Sequence, residues 1–159
     1  SLVSKGKKIW NLIKLTENHE SIWNEFKSLH YKSAGRKTRS DKSWDILQES
    51  LINNCSSFYY CTNENEEMIG GALIMLTSTE AFYAIGAYDR SLFKLPIGHA
   101  LQDFIIKDLK NSSFIKWYRL GRFYNSNDLI KPSEKEITIG SFKNGFATHL
   151  ITNFILSRN

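Results

Sequence analysis

Ile9-Trp10-Asn11-Leu12-Ile13-Lys14-Leu15 alternates imperfectly between apolar and polar positions, which predicts a first strand. Thr16 to Asn18 supplies cap-type residues, and beyond them the period changes. Ile22, Trp23, Phe26, Leu29 and His30 recur at spacings of three and four, one face of a helix that Gly35 can end. Ser40 or Asp41 can cap a second helix, with Trp44, Leu47, Leu51 and Ile52 on its inward face. The chain then turns strand-like. Ser57 to Thr62, Met68 to Leu76 and Ala81 to Tyr88 are separated by the short polar turns 63–66 and 77–79, an antiparallel meander.

Gly86, inside the last of these strands, predicts a bulge or a close approach of another group to the backbone. Pro96 suits the first turn of a third helix, whose buried stripe is Ile97, Leu101, Phe104, Ile105 and Leu109. Phe114 to Leu120 reads as the next strand, and a polar loop runs from Asn125 to Glu136. A short turn or helix around Ile139 to Phe146 and a final strand, His149 to Leu156, complete the chain. One helix between the strands at 81–88 and 114–120 predicts a parallel crossover within a mixed sheet. The fold class is α+β (mixed α/β), order β-α-α-β-β-β-α-β-β. The alternation is too short for a doubly wound fold.

A chain of 159 residues, 42% hydrophobic and 23% charged, fits one globular domain over 1–159. The net charge of +5 leans mildly toward anionic ligands. No apolar run approaches the ~20 residues that a membrane span needs, and no secretory leader is visible. The chain opens with Ser1 rather than Met, so it reads as a processed product or a piece of a longer protein. Cys55 and Cys61, with four scattered histidines, offer no metal-ligand spacing; reduced thiols and a cytoplasmic location are expected.

The richest chemistry lies in Trp117-Tyr118-Arg119-Leu120-Gly121-Arg122-Phe123-Tyr124, followed by Phe142-Lys143-Asn144-Gly145-Phe146. If both lie at one end of a sheet, they wall an aromatic, positively charged cleft suited to an anionic substrate or to cofactor phosphates. Arg36 and Arg39, in the loop between the first two helices, present guanidinium forks suited to carboxylate or phosphate oxygens. For each, a solvated basic loop or a structural salt bridge is the plainer alternative. His30 reads as a core histidine or a base.

The element order resembles the GNAT acyltransferase fold, and within it the FemAB/FemX-type branch of peptidoglycan-bridge and polysaccharide-biosynthesis enzymes. The likeness rests on Leu29 to Arg39, Ile69-Gly70-Gly71-Ala72-Leu73, Trp117 to Arg122, and Ser141-Phe142-Lys143-Asn144-Gly145-Phe146. The last is similar to an FKxGFG-like turn, with Ala147 where a second glycine is usual. The resemblance implies that the strands at 81–88 and 114–120 splay apart to hold an acyl donor. Gly86 and the helix entry Ile97-Gly98-His99-Ala100 would then meet the cofactor, although Leu95 and Pro96 depart from the usual acetyl-CoA pyrophosphate loop.

By the same resemblance, the donor is acetyl-CoA or another acyl-CoA, or aminoacyl-tRNA. The acceptor is an amine on a small molecule or on a lipid-linked or nucleotide-linked sugar. Asp89 is placed to take the acceptor's proton, with Tyr88 or Tyr124 as proton donors and Lys143 beside a developing oxyanion. Trp117, Arg119, Arg122 and Phe142 would bind substrate. Direct transfer needs no covalent enzyme intermediate and no metal. A second GNAT-like domain or a homodimer fits the branch. The rival expectation is a non-catalytic module whose basic surface binds an anionic glycan, a nucleotide or RNA.

Overall fold

A computed structural model of the protein describes residues 1–17, 19–124 and 130–152. The chain divides into two compact units, Ser1–Arg119 and Leu120–Asn159. The first contains α1 (Leu2–Ile9), β1 (Asn11–Lys14), α2 (Glu20–Ala34), α3 (Asp41–Ile52), β2 (Ser56–Thr62), β3 (Met68–Leu76) and β4 (Glu80–Tyr88). A 3-10 turn (Arg90–Leu92), α4 (Ile97–Lys110) and β5 (Trp117–Arg119) complete it. The second unit contains α5 (Glu134–Asn144).

The predicted helices stand where their stop and start signals put them. Gly35 ends α2 at φ 70, a left-handed conformation natural to glycine, and its N–H donates to the Tyr31 carbonyl. The Ser40 hydroxyl accepts from the Ser43 N–H at the head of α3. Trp44 on α3 is fully buried, while Ile52, expected to face inward, is 57% exposed because α3 ends there.

The five strands lie in the order β1-β2-β3-β4-β5. The first four pair antiparallel, and β4 pairs β5 parallel. Alternation sorts β2–β4 into two faces. Phe58, Leu73, Ile85 and Ala87 meet Trp23, Phe26, Leu29 and Trp44 of α2 and α3. On the other face, Tyr59, Ala72, Ile74 and Ala81 meet Leu101, Ile105 and Leu109 of α4. Such a two-layer cover over a mixed sheet is the predicted α+β class.

Four elements differ from expectation. The segment Ser1 to Ile9 is helical, so the first strand is shorter than Ile9–Leu15. Among its residues α1 buries only Gly6, packed so closely on α4 that a Cβ there would stand 2.7 Å from the Ala100 Cβ. Strand β5 is confined to Trp117–Arg119, and Phe114 is 73% exposed. Helix α5 begins at Glu134, inside the expected loop. Ser133 and Glu136 form a reciprocal capping box there. Residues 149–152 carry no strand, and the rest of the expected strand to Leu156 lies outside the described residues.

Candidate functional site

The ladder between β4 and β5 is short. Glu80, Ala81 and Phe82 pair with Trp117, Tyr118 and Arg119. Strand β4 continues through Tyr88, but among the described residues β5 offers no partner beyond Phe82. Just past that point the β3–β4 register shifts: Leu73 opposes Ile85, whereas Ile74 opposes Tyr83. Ala84 is therefore the extra residue. The bulge falls there rather than at Gly86, because it is set by the partner strand and not by the glycine.

Gly86 answers to the other half of its expectation. A Cβ at this position would stand 1.7 Å from the Tyr83 hydroxyl, so the missing side chain is what lets the phenol lie against β4. That hydroxyl is 3.2 Å from the Tyr88 hydroxyl. From β5, where Tyr118 pairs with Ala81, the Tyr118 hydroxyl donates to Oε1 of Gln102 on α4 at 3.0 Å. Gln102 is 1% exposed and also bonds the Tyr83 side chain. Burial raises all three phenols above the ordinary tyrosine range, so each stays protonated and able to donate.

Helix α4 starts beside the end of β4. Tyr88 and Ile97 both close on the Cα of Gly70. The first turn carries no acidic residue, so the positive end of the helix faces no carboxylate of its own. Ile97 and Ala100 are core residues, packed with Trp10, Cys61 and Ile69. The smallness of Ala100 accommodates Gly6 of α1. Gly98 and His99 reach the surface between them, and Arg90 and Lys94 are exposed nearby in sequence. This turn fits an anionic group through backbone N–H and flanking cations.

The remaining candidates are spread over several elements. Asp89 accepts from Lys32 Nζ at 2.9 Å and from the Ser91 N–H and hydroxyl, which holds its carboxyl down at about 2. Arg119 donates to Glu80 at 2.9 Å, the plain salt bridge set against a binding role. Trp117 shares its strand face with Arg119 and is 47% exposed. Arg36 is exposed, and Arg39 is half-buried near His30. The His30 ring stands edge-on to Trp44 at 5.1 Å, and burial, then Arg39, lower its pKa.

The second unit brings its own two segments together. Gly121, at φ 92, lies so close to Lys143 that a Cβ would stand 3.1 Å from the ammonium. Burial lowers the Lys143 pKa. The Arg122 guanidinium stacks over the Tyr124 ring at 5.0 Å, and Phe142 packs edge-on to Phe146. Here Ser141 to Asn144 is the last turn of α5, with Gly145 as its cap.

Sequence reasoning missed Tyr83, Gln102 and Tyr118, whose spacing spans two strands and a helix. Two open hollows at the other end of the sheet, of about 350 and 600 Å³, are lined by residues such as Lys14, Ser57, Leu76 and Asp108. Neither is lined by Tyr83, Tyr88 or Tyr118. No group of three His, Cys, Asp or Glu among the described residues could hold a metal. No helix among them is long and apolar enough to cross a membrane.

Solved structures share this fold. An aminoglycoside acetyltransferase from an uncultured soil metagenomic sample, in complex with sisomicin, superposes at a TM-score of 0.70 and 14% identity, over 96% of this chain and 99% of that one. The fold is that of the GNAT acetyltransferases. AAC(6')-Iy, in complex with a bisubstrate analog, CoA-S-monomethyl-acetylneamine, gives 0.69 at 9% identity, over 94% and 97% of the two chains. A ribosomal-protein-alanine N-acetyltransferase from Brucella melitensis biovar Abortus 2308 gives 0.65 at 13%, over 94% and 99%. No protein-family model matches the chain, and no curated protein matches it by sequence.

Proposed function

We propose that this protein is an N-acyltransferase that moves an acyl group from an acyl-CoA thioester to a primary amine of a small molecule. The observation that carries the reading is the stretch of β4 beyond Phe82 that β5 leaves unpaired, with the half-buried phenols of Tyr83, Tyr88 and Tyr118 on the α4 side of the sheet and the α4 N-terminus near the end of β4. The GNAT neighbours support it, one holding an aminoglycoside and another a CoA bisubstrate analog.

Residues of the first unit would act as follows. Gly98 and the first turn of α4 bind the donor's phosphates, with Arg90 and Lys94 adding charge. The bound CoA thioester supplies the activated acyl carbon. Backbone groups of Tyr83–Tyr88, unclaimed by β5, orient the acyl carbonyl. Tyr88, kept neutral by burial, gives a proton to the departing thiolate, and the proton that the attacking amine sheds, passed through water, restores the phenol. Asp89 at about 2 is too weak a base to deprotonate an amine efficiently near neutral pH, so its role is to fix the turn after β4 through Lys32. Arg36, Arg39 and Arg119 are the first unit's candidates for acceptor groups. Arg122 and Lys143 are those of the second.

A narrower reading follows the Ser141 to Phe146 segment. By that resemblance the acceptor is an amino sugar of a cell-envelope precursor in the cytoplasm, and the donor is aminoacyl-tRNA. Both donors belong in one assay. Purified protein is incubated with acetyl-CoA or with charged tRNA across a panel of amino sugars and aminoglycosides, and product is read by mass. Acetylated amine is the expected result. Silence with both donors, together with weak binding of polyanions that vanishes with salt, would convert the enzyme into an electrostatic binding module.

A further inference from the structure

Tyr83 is the first residue of β4 beyond the last pair with β5, and the bulge at Ala84 follows it. That extra residue leaves Tyr83 and Gly86 on the same face, the one turned to α4. The phenol lies along the strand instead of standing off it, its hydroxyl at the place where any side chain on residue 86 would begin. The ring is tethered from two sides: the Tyr88 hydroxyl at 3.2 Å, and Gln102, which the Tyr118 hydroxyl holds in turn. A half-buried side chain with hydrogen bonds at its tip does not swing away without breaking them.

We infer that Tyr83 is the floor of the acyl subsite and restricts the donor to short acyl groups of the acetyl class. The inference rests on the acyl-CoA reading above and adds to it the donor's chain length and the residue that sets it. A longer acyl chain laid along the unpaired stretch of β4 meets the Tyr83 ring, whose hydroxyl fills the space that Gly86 leaves. Displacing it breaks the contact with Tyr88 and leaves the buried Gln102 with one hydrogen-bond partner fewer. Tyr118 and Ala81 close the remaining space toward α4, packed with Leu101 and Ile105.

Calorimetric titration of the full chain with CoA, acetyl-CoA and octanoyl-CoA tests this. Wild type should bind acetyl-CoA about 10-fold or more tightly than octanoyl-CoA. Tyr83→Ala should bring the two within ~3-fold of each other by opening that space. Tyr83→Leu, which cannot reach Gly86, makes the same test if circular dichroism shows the alanine variant unfolded. Tyr83→Phe keeps the ring and should keep most of the preference. Equal affinity of wild type for both thioesters, or an unchanged ratio in the alanine and leucine variants, overturns the assignment while CoA binding leaves the donor reading standing. Failure of CoA and both thioesters to bind removes the donor reading, and this inference with it.

Discussion

The ammonium of Lys32 on α2 holds the carboxylate of Asp89 at 2.9 Å, tying a helix to the turn that leaves β4. The carboxyl is 16% exposed and the lysine 69%, so the pair is screened from the lysine side. Asp89 has a folded pKa of about 2, below the unbonded value of 3.8. The folded carboxylate is thus favoured, and its stability is present above pH ~4 and lost as the pH falls toward 2. Asp89→Asn should cost about 1 kcal/mol at pH 7 and almost nothing at pH 2. Chemical denaturation at the two pH values checks this, and an equal loss at both would remove the ion pair from the account.

Arg119 separates structure from binding. Its pair with Glu80 joins β5 to β4 at the last rungs of their ladder, but both side chains are substantially exposed. Such a pair contributes under ~1 kcal/mol. Arg119→Ala should therefore leave the melting temperature nearly unchanged. If the guanidinium also binds acceptor, the variant raises KM for the amine about 10-fold with kcat preserved. A melting point far below wild type would instead mark the arginine as structural.

What could be read along the chain were features whose cause is local. Gly35, Ser40 and Pro96 act within a turn of their own position, and the stripes Trp23-Phe26-Leu29 and Ile97-Leu101-Ile105 declare their faces by period alone. What escaped depends on a distant partner. Residue Ala84 becomes a bulge only because Ile74 on β3 opposes Tyr83. The Tyr83–Gln102–Tyr118 set needs β4, α4 and β5 assembled first. Helix α1 sets Leu2, Val3, Gly6 and Ile9 on one side, but across eight residues with three lysines that stripe is too short to declare itself. The box of Ser133 and Glu136 was legible, but the few apolar residues behind it gave α5 no visible face.

Gly6 gives the packing of α1 on α4 a test. A methyl group there meets the Pro96 carbonyl at 2.8 Å and the Ala100 Cβ at 2.7 Å, backbone and near-backbone atoms with no rotamer to yield. Gly6→Ala should push α1 off α4 and lower stability by about 1–3 kcal/mol, against the gain in helix propensity. The shift in urea midpoint measures it. A variant as stable as wild type would mean that α1 is not packed on α4 in this way.

The two thiols should differ in reactivity. Cys61 is fully buried against the Gly70 carbonyl, and burial pushes its thiol up to about 12. Cys55 is exposed. An aromatic disulfide reagent at pH 8 should label one thiol in the native protein and two after unfolding in guanidinium. Fast labelling of both in native buffer would contradict the packing of β2 on β3.

Lys143 carries a pH dependence of opposite sense to that of Asp89. Burial lowers its pKa from 10.5, which means the folded state disfavours the charged form. Below the folded pKa both states hold the proton, and the unfavourable burial of charge is felt in full. As pH rises toward 10.5 the folded chain releases that proton first, so the unfolded state binds more protons and stability climbs. Lys143→Met should accordingly be more stable than wild type at pH 7, with a lead that shrinks as the solution approaches pH 10. If the ammonium also holds an anionic acceptor, the same variant should lose affinity for it. Thermal melts across pH 6–10 decide the matter. A methionine variant that melts lower than wild type at neutral pH would show that the ammonium is stabilised by its surroundings, and that its burial is no sign of function.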